Sequence, residues 1–177
     1  MINNILEEIL ISETEINITN KRLGETITND YKDKDLVLIG LLKGCIPFLS
    51  DLAKYIDLRL EMQYMIVSSY HGGTTSSELH IKYDLEIPIA NRDILIVEDI
   101  VDTGQTIKTI TRMLKERGAR SIEVVSLLNK TVNNDLNPKY VGFNIPNKFV
   151  VGYGLDFQEK YRNLPYIGVL KKEFYDK

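Results

Sequence analysis

The chain has 177 residues, of which 44% are hydrophobic and 27% charged, the composition of an ordinary soluble globular domain. A chain of this length buries roughly 70% of the surface its unfolded form exposes, so its core needs no disulfide or structural metal, and the single cysteine, Cys45, excludes an internal disulfide framework. A net charge of −3, the lack of a long basic run, and the lack of any apolar stretch near the roughly 20 residues of a membrane span point away from nucleic acid and membrane, towards a cytoplasmic protein.

Repeats, low-complexity tracts and Pro/Gly/Ser-rich linkers are absent, which predicts one domain over residues 1–177. Ile2, Ile5, Leu6 and Ile9 recur at helical spacing, and Ile16, Leu23, Ile27 and Tyr31 predict a second helix opened by the polar Ser12 to Thr14 region. Leu36 to Leu42 is a continuous apolar run of the kind that forms a strand buried on both faces, and it stops at Lys43-Gly44. Pro47 then sits where a helix can begin, with Phe48, Leu49, Leu52, Tyr55 and Ile56 as its apolar stripe. Leu60 to Val67 alternates as a strand does, and the polar, glycine-containing stretch Ser68 to Glu78 is too long for a tight turn, which predicts a lid. Ile94 to Val97 predicts another buried strand, Ile107, Ile110, Met113 and Leu114 a helix stopping near Gly118, Ile122 to Leu128 a further strand, and Phe149-Val-Val151 a short one. Strand, helix and strand repeated about twice imply an open, mostly parallel α/β sheet flanked by helices, whose ligands sit beyond the carboxyl ends of its strands.

That rule directs attention to the loop Glu98-Asp-Ile-Val-Asp-Thr-Gly-Gln-Thr106. It joins a buried strand to a helix, so backbone N–H groups around Thr103, Gly104 and Thr106 form an anion site, and the threonine hydroxyls add donors. A helix cap by Asp102 or Thr103 would account for those residues, but not for the adjacent Glu98 and Asp99, which repel a bare phosphate. Sugar hydroxyls or a hydrated Mg²⁺ would satisfy the two acids, so the loop suits a phosphorylated ribose. Rival phosphate motifs are missing: there is no GxxxxGK[ST], and Gly152-Tyr-Gly154 lacks the third glycine of a dinucleotide fingerprint.

Val97-Glu-Asp-Ile-Val-Asp-Thr-Gly-Gln-Thr106 resembles the phosphoribosyl pyrophosphate (PRPP) motif of the type I phosphoribosyltransferases, most closely the short bacterial members of their hypoxanthine-guanine branch. Leu42-Lys-Gly44, Ser69-Tyr70, Leu127-Leu-Asn-Lys130, and Lys148-Phe-Val-Val-Gly-Tyr-Gly-Leu-Asp156 continuing to Arg162 match as well, in the family's order over roughly residues 36 to 170. The resemblance implies a sheet core of about residues 34–146 carrying a small hood built from about 1–20 and 147–177. It implies transfer of a phosphoribosyl group from PRPP to N9 of hypoxanthine or guanine, with Mg²⁺, giving IMP or GMP and pyrophosphate in purine salvage, by a homo-oligomer of two or four chains.

The resemblance also distributes roles. Lys43 and Gly44 supply backbone N–H groups to pyrophosphate through a loop containing a non-proline cis peptide at Lys43-Gly44, with Ser69, Tyr70 and Arg162 as further contacts. Glu98, Asp99, Ile100, Val101, Asp102, Thr103, Gly104, Gln105 and Thr106 hold the ribose phosphate, and Glu98, Asp99 and Asp156 face Mg²⁺. Asp102 is the proton acceptor at purine N7, helped by water exclusion when the lid closes. Lys130 donates to the exocyclic O6 and thereby disfavours adenine, Phe149 stacks on the purine, the Val150 carbonyl accepts from its N–H groups, and Ile100 and Asp156 complete that side. Cys45 reads as packing, His71 and His80 receive no role, and Lys171, Lys172 and Lys177 read as solvated surface. Two other readings stay open: a phosphoribosyltransferase for xanthine or a pyrimidine, and a non-catalytic PRPP-sensing regulator, for whose DNA-binding domain the chain has no room.

Overall fold

A computed structural model describes residues 4–69, 79–130 and 136–176. Two sheets organise it. Strands β2 (Leu36–Leu42), β3 (Glu61–Ser69), β4 (Leu79–Tyr83), β5 (Asp93–Val101), β6 (Ser121–Lys130) and β7 (Tyr140–Ile145) form a six-stranded sheet in the order β4-β3-β2-β5-β6-β7. All neighbours in it are parallel except the edge strand β4, which runs antiparallel to β3. Helices α1 (Glu13–Asp30), α2 (Ile46–Ala53) and α3 (Gln105–Glu116) complete the core.

The apolar run of β2 is continuous because both faces of the sheet are covered. Leu36 and Leu38 point to the side packed by Ile16, Leu23 and Ile27 of α1 and by Phe48, Leu49 and Leu52 of α2. Val37, Ile39 and Leu41 point the other way, to Ile107, Ile110 and Leu114 of α3. Helix α1 begins at Ser12 with a capping box: Ser12 Oγ accepts from the Glu15 N–H, and Glu15 Oε2 accepts from the Ser12 N–H at 2.8 Å. Helix α2 carries its proline in the first turn, where a missing N–H costs nothing. Tyr55 lies beyond its end and is partly exposed.

The smaller sheet has the order β1-β9-β8, from β1 (Leu6–Ile11), β8 (Val150–Val151) and β9 (Ile167–Leu170), all antiparallel. Here the expectation of an N-terminal helix is overturned: Leu6–Ile11 is a strand, with Leu6 and Ile11 buried and Ile9 exposed. Register shifts between Leu6 and Glu8 and between Ile9 and Ile11 break the period-two pattern that marks a strand, leaving apolar spacings that mimic a helix. No helix of the described residues is long and apolar enough to cross a membrane.

Candidate active site

Because β2, β3, β5 and β6 are parallel, their carboxyl ends share one edge of the sheet, and the loops that carried the sequence argument meet there. One open cleft of about 360 Å³ is lined by Leu41, Leu42, Lys43, Gly44, Val67, Glu98, Asp99 and Thr106. A smaller one of about 110 Å³ is lined by Glu98 and by residues 100–107.

The second cleft lies against the Asp102–Thr106 turn expected to bind an anion. Gly104 adopts φ 73°, a left-handed conformation that turns the chain from β5 into α3 and that side chains with a Cβ disfavour. It is also the N-cap, and no side chain caps it, which removes the reading of Asp102 or Thr103 as simple caps. The nearest hydroxyl, Thr103 Oγ1, lies 3.5 Å from the Gln105 N–H, at the limit of a hydrogen bond. First-turn N–H groups of α3 therefore face the cleft with no internal side-chain anion. Val101 is a core residue, so only its backbone can reach a ligand, whereas Asp102, Thr103 and Gln105 are exposed.

Strand β5 extends through Val101, so Glu98 and Asp99 sit within the strand rather than in a loop after it. Glu98 Oε2 is buried and finds no hydrogen-bond partner among the described residues. Burial, reinforced by the neighbouring Asp99 charge, pushes the Glu98 carboxyl well above the usual carboxylate range. Asp99 is pushed up to about 6, again chiefly by burial, although its Oδ1 accepts the Ile100 N–H at 2.8 Å and Arg162 draws it back down. Two desolvated carboxylates side by side are costly unless a ligand meets them, and sugar hydroxyls or a cation would do so.

Gly44 explains itself by contact: a Cβ there would overlap the carboxylate of Asp99. A non-proline cis peptide is present in this loop, but between Leu42 and Lys43, one bond before the expected position. Lys43 Nζ pairs with Glu159 Oε2 at 2.7 Å, and Arg162 bonds Asp156 Oδ1 at 2.8 Å, Glu159 Oε1 at 3.2 Å and the Gly154 carbonyl at 2.7 Å. Lys43, Asp156 and Arg162 therefore do converge, on Glu159, a residue the sequence reading missed. Its left-handed φ of 63° and long-range pairing leave no mark in sequence spacing.

Among the residues expected to meet the base, Lys130 Nζ lies 3.1 Å from Asp102 Oδ2, with the Lys130 side chain largely buried and Asp102 open. Phe149 is partly exposed, stacked on Tyr175 with centroids 4.8 Å apart and edge-on to Phe157 at 5.8 Å. Val150 is buried in β8, paired with Val169, and Ile100 packs against the core on its inner side. Ser69 closes β3, paired with Leu79. Tyr70, His71 and the rest of the expected lid to Glu78 lie outside the described residues, and His80 stands exposed on β4. Cys45 is fully buried and burial pushes its thiol up, which suits packing and not nucleophilic chemistry.

The phosphoribosyl transferase domain family matches residues 7–158, and the parallel sheet with an uncapped glycine turn after an acidic strand fits it: the chain belongs to that family. Within it, the chain is 51% identical to the hypoxanthine-guanine phosphoribosyltransferase of Streptococcus pneumoniae R6 over 99% of both chains. It is 49% identical to that of Lactococcus lactis, covering 99% of this chain and 97% of the other. The crystal structure of a hypoxanthine phosphoribosyltransferase from Staphylococcus aureus superposes with a TM-score of 0.95 at 51% identity, covering 99% of this chain and 97% of that one.

Proposed function

We propose that the chain transfers the 5-phosphoribosyl group of PRPP to N9 of a 6-oxopurine, hypoxanthine and also guanine, forming IMP or GMP with release of pyrophosphate. The observation that carries the choice of acceptor is the 3.1 Å pair of Lys130 Nζ and Asp102 Oδ2. A 6-oxopurine presents O6 and N7 side by side on one edge, an acceptor beside a nitrogen that must shed a proton. Lys130 donates to O6 while Asp102 accepts from N7–H, so one edge meets one pair. As the N9–C1′ bond forms and the bond from C1′ to the pyrophosphate oxygen breaks, the N7 proton passes to Asp102. Adenine brings an N6–H₂ donor towards the ammonium and leaves both donors unpaired, which penalises it.

The cradle at Asp102 to Thr106 would take the 5′-phosphate through backbone N–H groups and hydroxyls, leaving Glu98 and Asp99 to the ribose hydroxyls. Backbone N–H groups of Lys43 and Gly44, with Arg162, would grip the pyrophosphate, joined by Ser69 and Tyr70. Among the described residues no three His, Cys, Asp or Glu side chains gather into a metal cage. Mg²⁺ favours one or two carboxylates with water and substrate phosphate, so it needs no preformed cage: the orphan Glu98 Oε2 and the adjacent Asp99 would ligate it, and Asp156 would face it from the Arg162 side. When bound, Mg²⁺ neutralises charge on the departing pyrophosphate. Phe149, Ile100 and the Val150 carbonyl would enclose the base, and the enzyme would act in the cytoplasm as a homo-oligomer, a dimer or tetramer, checkable by light scattering.

Incubation with PRPP, Mg²⁺ and each free base in turn, followed by ultraviolet absorbance, tests the reading. Nucleotide should form with hypoxanthine and guanine and not with adenine. Product from xanthine or a pyrimidine alone would move the acceptor, and no product from any base would favour a PRPP-binding regulator.

A further inference from the structure

Between β8 and Asp156 the chain passes through three left-handed residues in a row: Gly152 at φ 102°, Tyr153 at 47° and Gly154 at 98°. Two are glycines, but a bulky aromatic rarely adopts this region, so something must hold Tyr153 there. Its backbone N–H donates to the Leu164 carbonyl at 2.8 Å, and the next one, from Gly154, donates to the Arg162 carbonyl at 2.9 Å. The Arg162 guanidinium returns to the Gly154 carbonyl at 2.7 Å. The backbone of Tyr153 is thus tied to the segment that carries Arg162.

The side chain goes the other way. Tyr153 is buried, and its hydroxyl donates to Asp51 Oδ2 at 2.7 Å while accepting from Asn20 Nδ2 at 2.9 Å, with the Pro47 carbonyl 3.4 Å off. Burial and the adjoining Asp51 carboxylate hold the phenol well above its ordinary pKa, so it stays a donor. Asp51 and Pro47 belong to α2, whose first turn is continuous with the Lys43–Gly44 loop: the Ile46 N–H donates to the Lys43 carbonyl at 3.2 Å and the Leu49 N–H to the Cys45 carbonyl at 2.8 Å. Gly154 closes the joint, since a Cβ on it would overlap the Gly44 carbonyl. One phenol therefore links Arg162 on one side to the Lys43–Gly44 loop on the other.

We propose that Tyr153 is a positioning residue for pyrophosphate: its hydroxyl bond to Asp51 fixes the separation of the Lys43–Gly44 loop and Arg162. This rests on the reading above that those two elements grip the pyrophosphate. The hydrogen bonds of Tyr153 run to Asn20, Pro47, Asp51 and the Arg162 segment and to neither Lys130 nor Asp102, so the effect should fall on PRPP and pyrophosphate more than on the base.

The test uses the full chain and Mg-pyrophosphate alone as a calorimetric probe, beside steady-state kinetics. Tyr153→Phe should raise both the Kd of Mg-pyrophosphate and the KM of PRPP about 5- to 30-fold, the factor that one or two lost hydrogen bonds of ordinary strength produce, with the hypoxanthine KM within about twofold of wild type. Asp51→Ala, which breaks the same bond from its more exposed end, should reproduce the rise, Asp51→Asn, which keeps an acceptor, should restore most of it, and the double variant should add nothing to either single change. Equal rises for PRPP and hypoxanthine, or an unchanged Kd in both Tyr153→Phe and Asp51→Ala, would overturn the proposal while leaving the functional reading standing. A wild-type protein that does not bind Mg-pyrophosphate would overturn that reading, and this proposal with it.

Discussion

Asp102, just past β5, and Lys130, at the end of β6, are 28 residues apart in sequence, and the parallel pairing of Val101 with Asn129 brings them within 3.1 Å. The pair sets two separable expectations. If Asp102 is the proton acceptor proposed above, truncating it to alanine should lower kcat by about 10²- to 10⁴-fold, the range of general acid–base catalysis, measured at saturating PRPP and hypoxanthine; a loss under about threefold would remove Asp102 from that role. Lys130→Ala removes a charge-assisted donor and should raise the hypoxanthine KM about 10- to 100-fold, well beyond any change for PRPP. Equal weakening of both substrates would take Lys130 out of the base pocket. At this scale the motif around Glu98 to Thr106 was legible because its chemistry is local: acids, glycine and hydroxyls within nine residues. Glu159, Tyr153 and Asp51 were not, because each acts through partners scores of residues away. A lone acid or tyrosine in a loop shows nothing of its partner.

Among the elements, the three helices and the central strands β2, β5 and β6 follow from local patterning, since a strand covered on both faces must be apolar throughout and an amphipathic helix must repeat its stripe. Strands β1, β4, β7 and β9 escaped because they lie at edges or in the small sheet, where pairing and not composition fixes the conformation. The amino-terminal end of β5 carries its own anchor. Asp93 is nearly inaccessible and accepts from the Arg120 guanidinium and, at 2.6 Å, from the Ser121 hydroxyl, so β5 is tied to the entry of β6. Chiefly through Arg120, its carboxyl is held below the usual carboxylate range. A lowered folded-state pKa contributes stability that is present above the unfolded value near 3.9 and is lost as pH falls through the folded value. Asp93→Asn should therefore cost about 1–3 kcal/mol near neutral pH and little at acid pH below the folded value. Melting curves carried from about pH 7 to well below the unfolded value near 3.9 should show the mutant and wild-type midpoints converging only once pH falls below that value; a gap that stays constant throughout would mean that the loss comes from packing and not from the charge.

For the whole molecule, a net charge of −3 does not oppose an anionic ligand, because the Asp102–Thr106 turn offers backbone N–H groups at an uncapped helix start, and on the proposed reading the acids of β5 serve the ribose. What no local pattern discloses is how the two ends of the chain combine. Strand β1 lies at one edge of the small sheet and β8, which Phe149 precedes, at the other, with β9 between them. Leu6 spans part of that distance: it packs with Val151 and Leu164, and it crowds Gly168 so closely that a Cβ there would sit 2.8 Å from its Cδ1. The anion cradle stands on the other sheet, with its own core of Ile94, Ile96, Ile107 and Ile110. Shortening Leu6 to alanine should cost about 2–3 kcal/mol through the cavity it leaves. By the usual proportionality for a chain of this size, the melting midpoint should drop by about 4–12 °C. Because the loosened sheet carries Val150 and adjoins Phe149, which the proposed function sets against the base, the hypoxanthine KM should rise more than the PRPP KM, the reverse of the pattern expected for Tyr153→Phe. If Leu6→Ala raised both constants alike, the two sheets would be one cooperative unit, and the base pocket would depend on the whole fold and not on the small sheet that bears it.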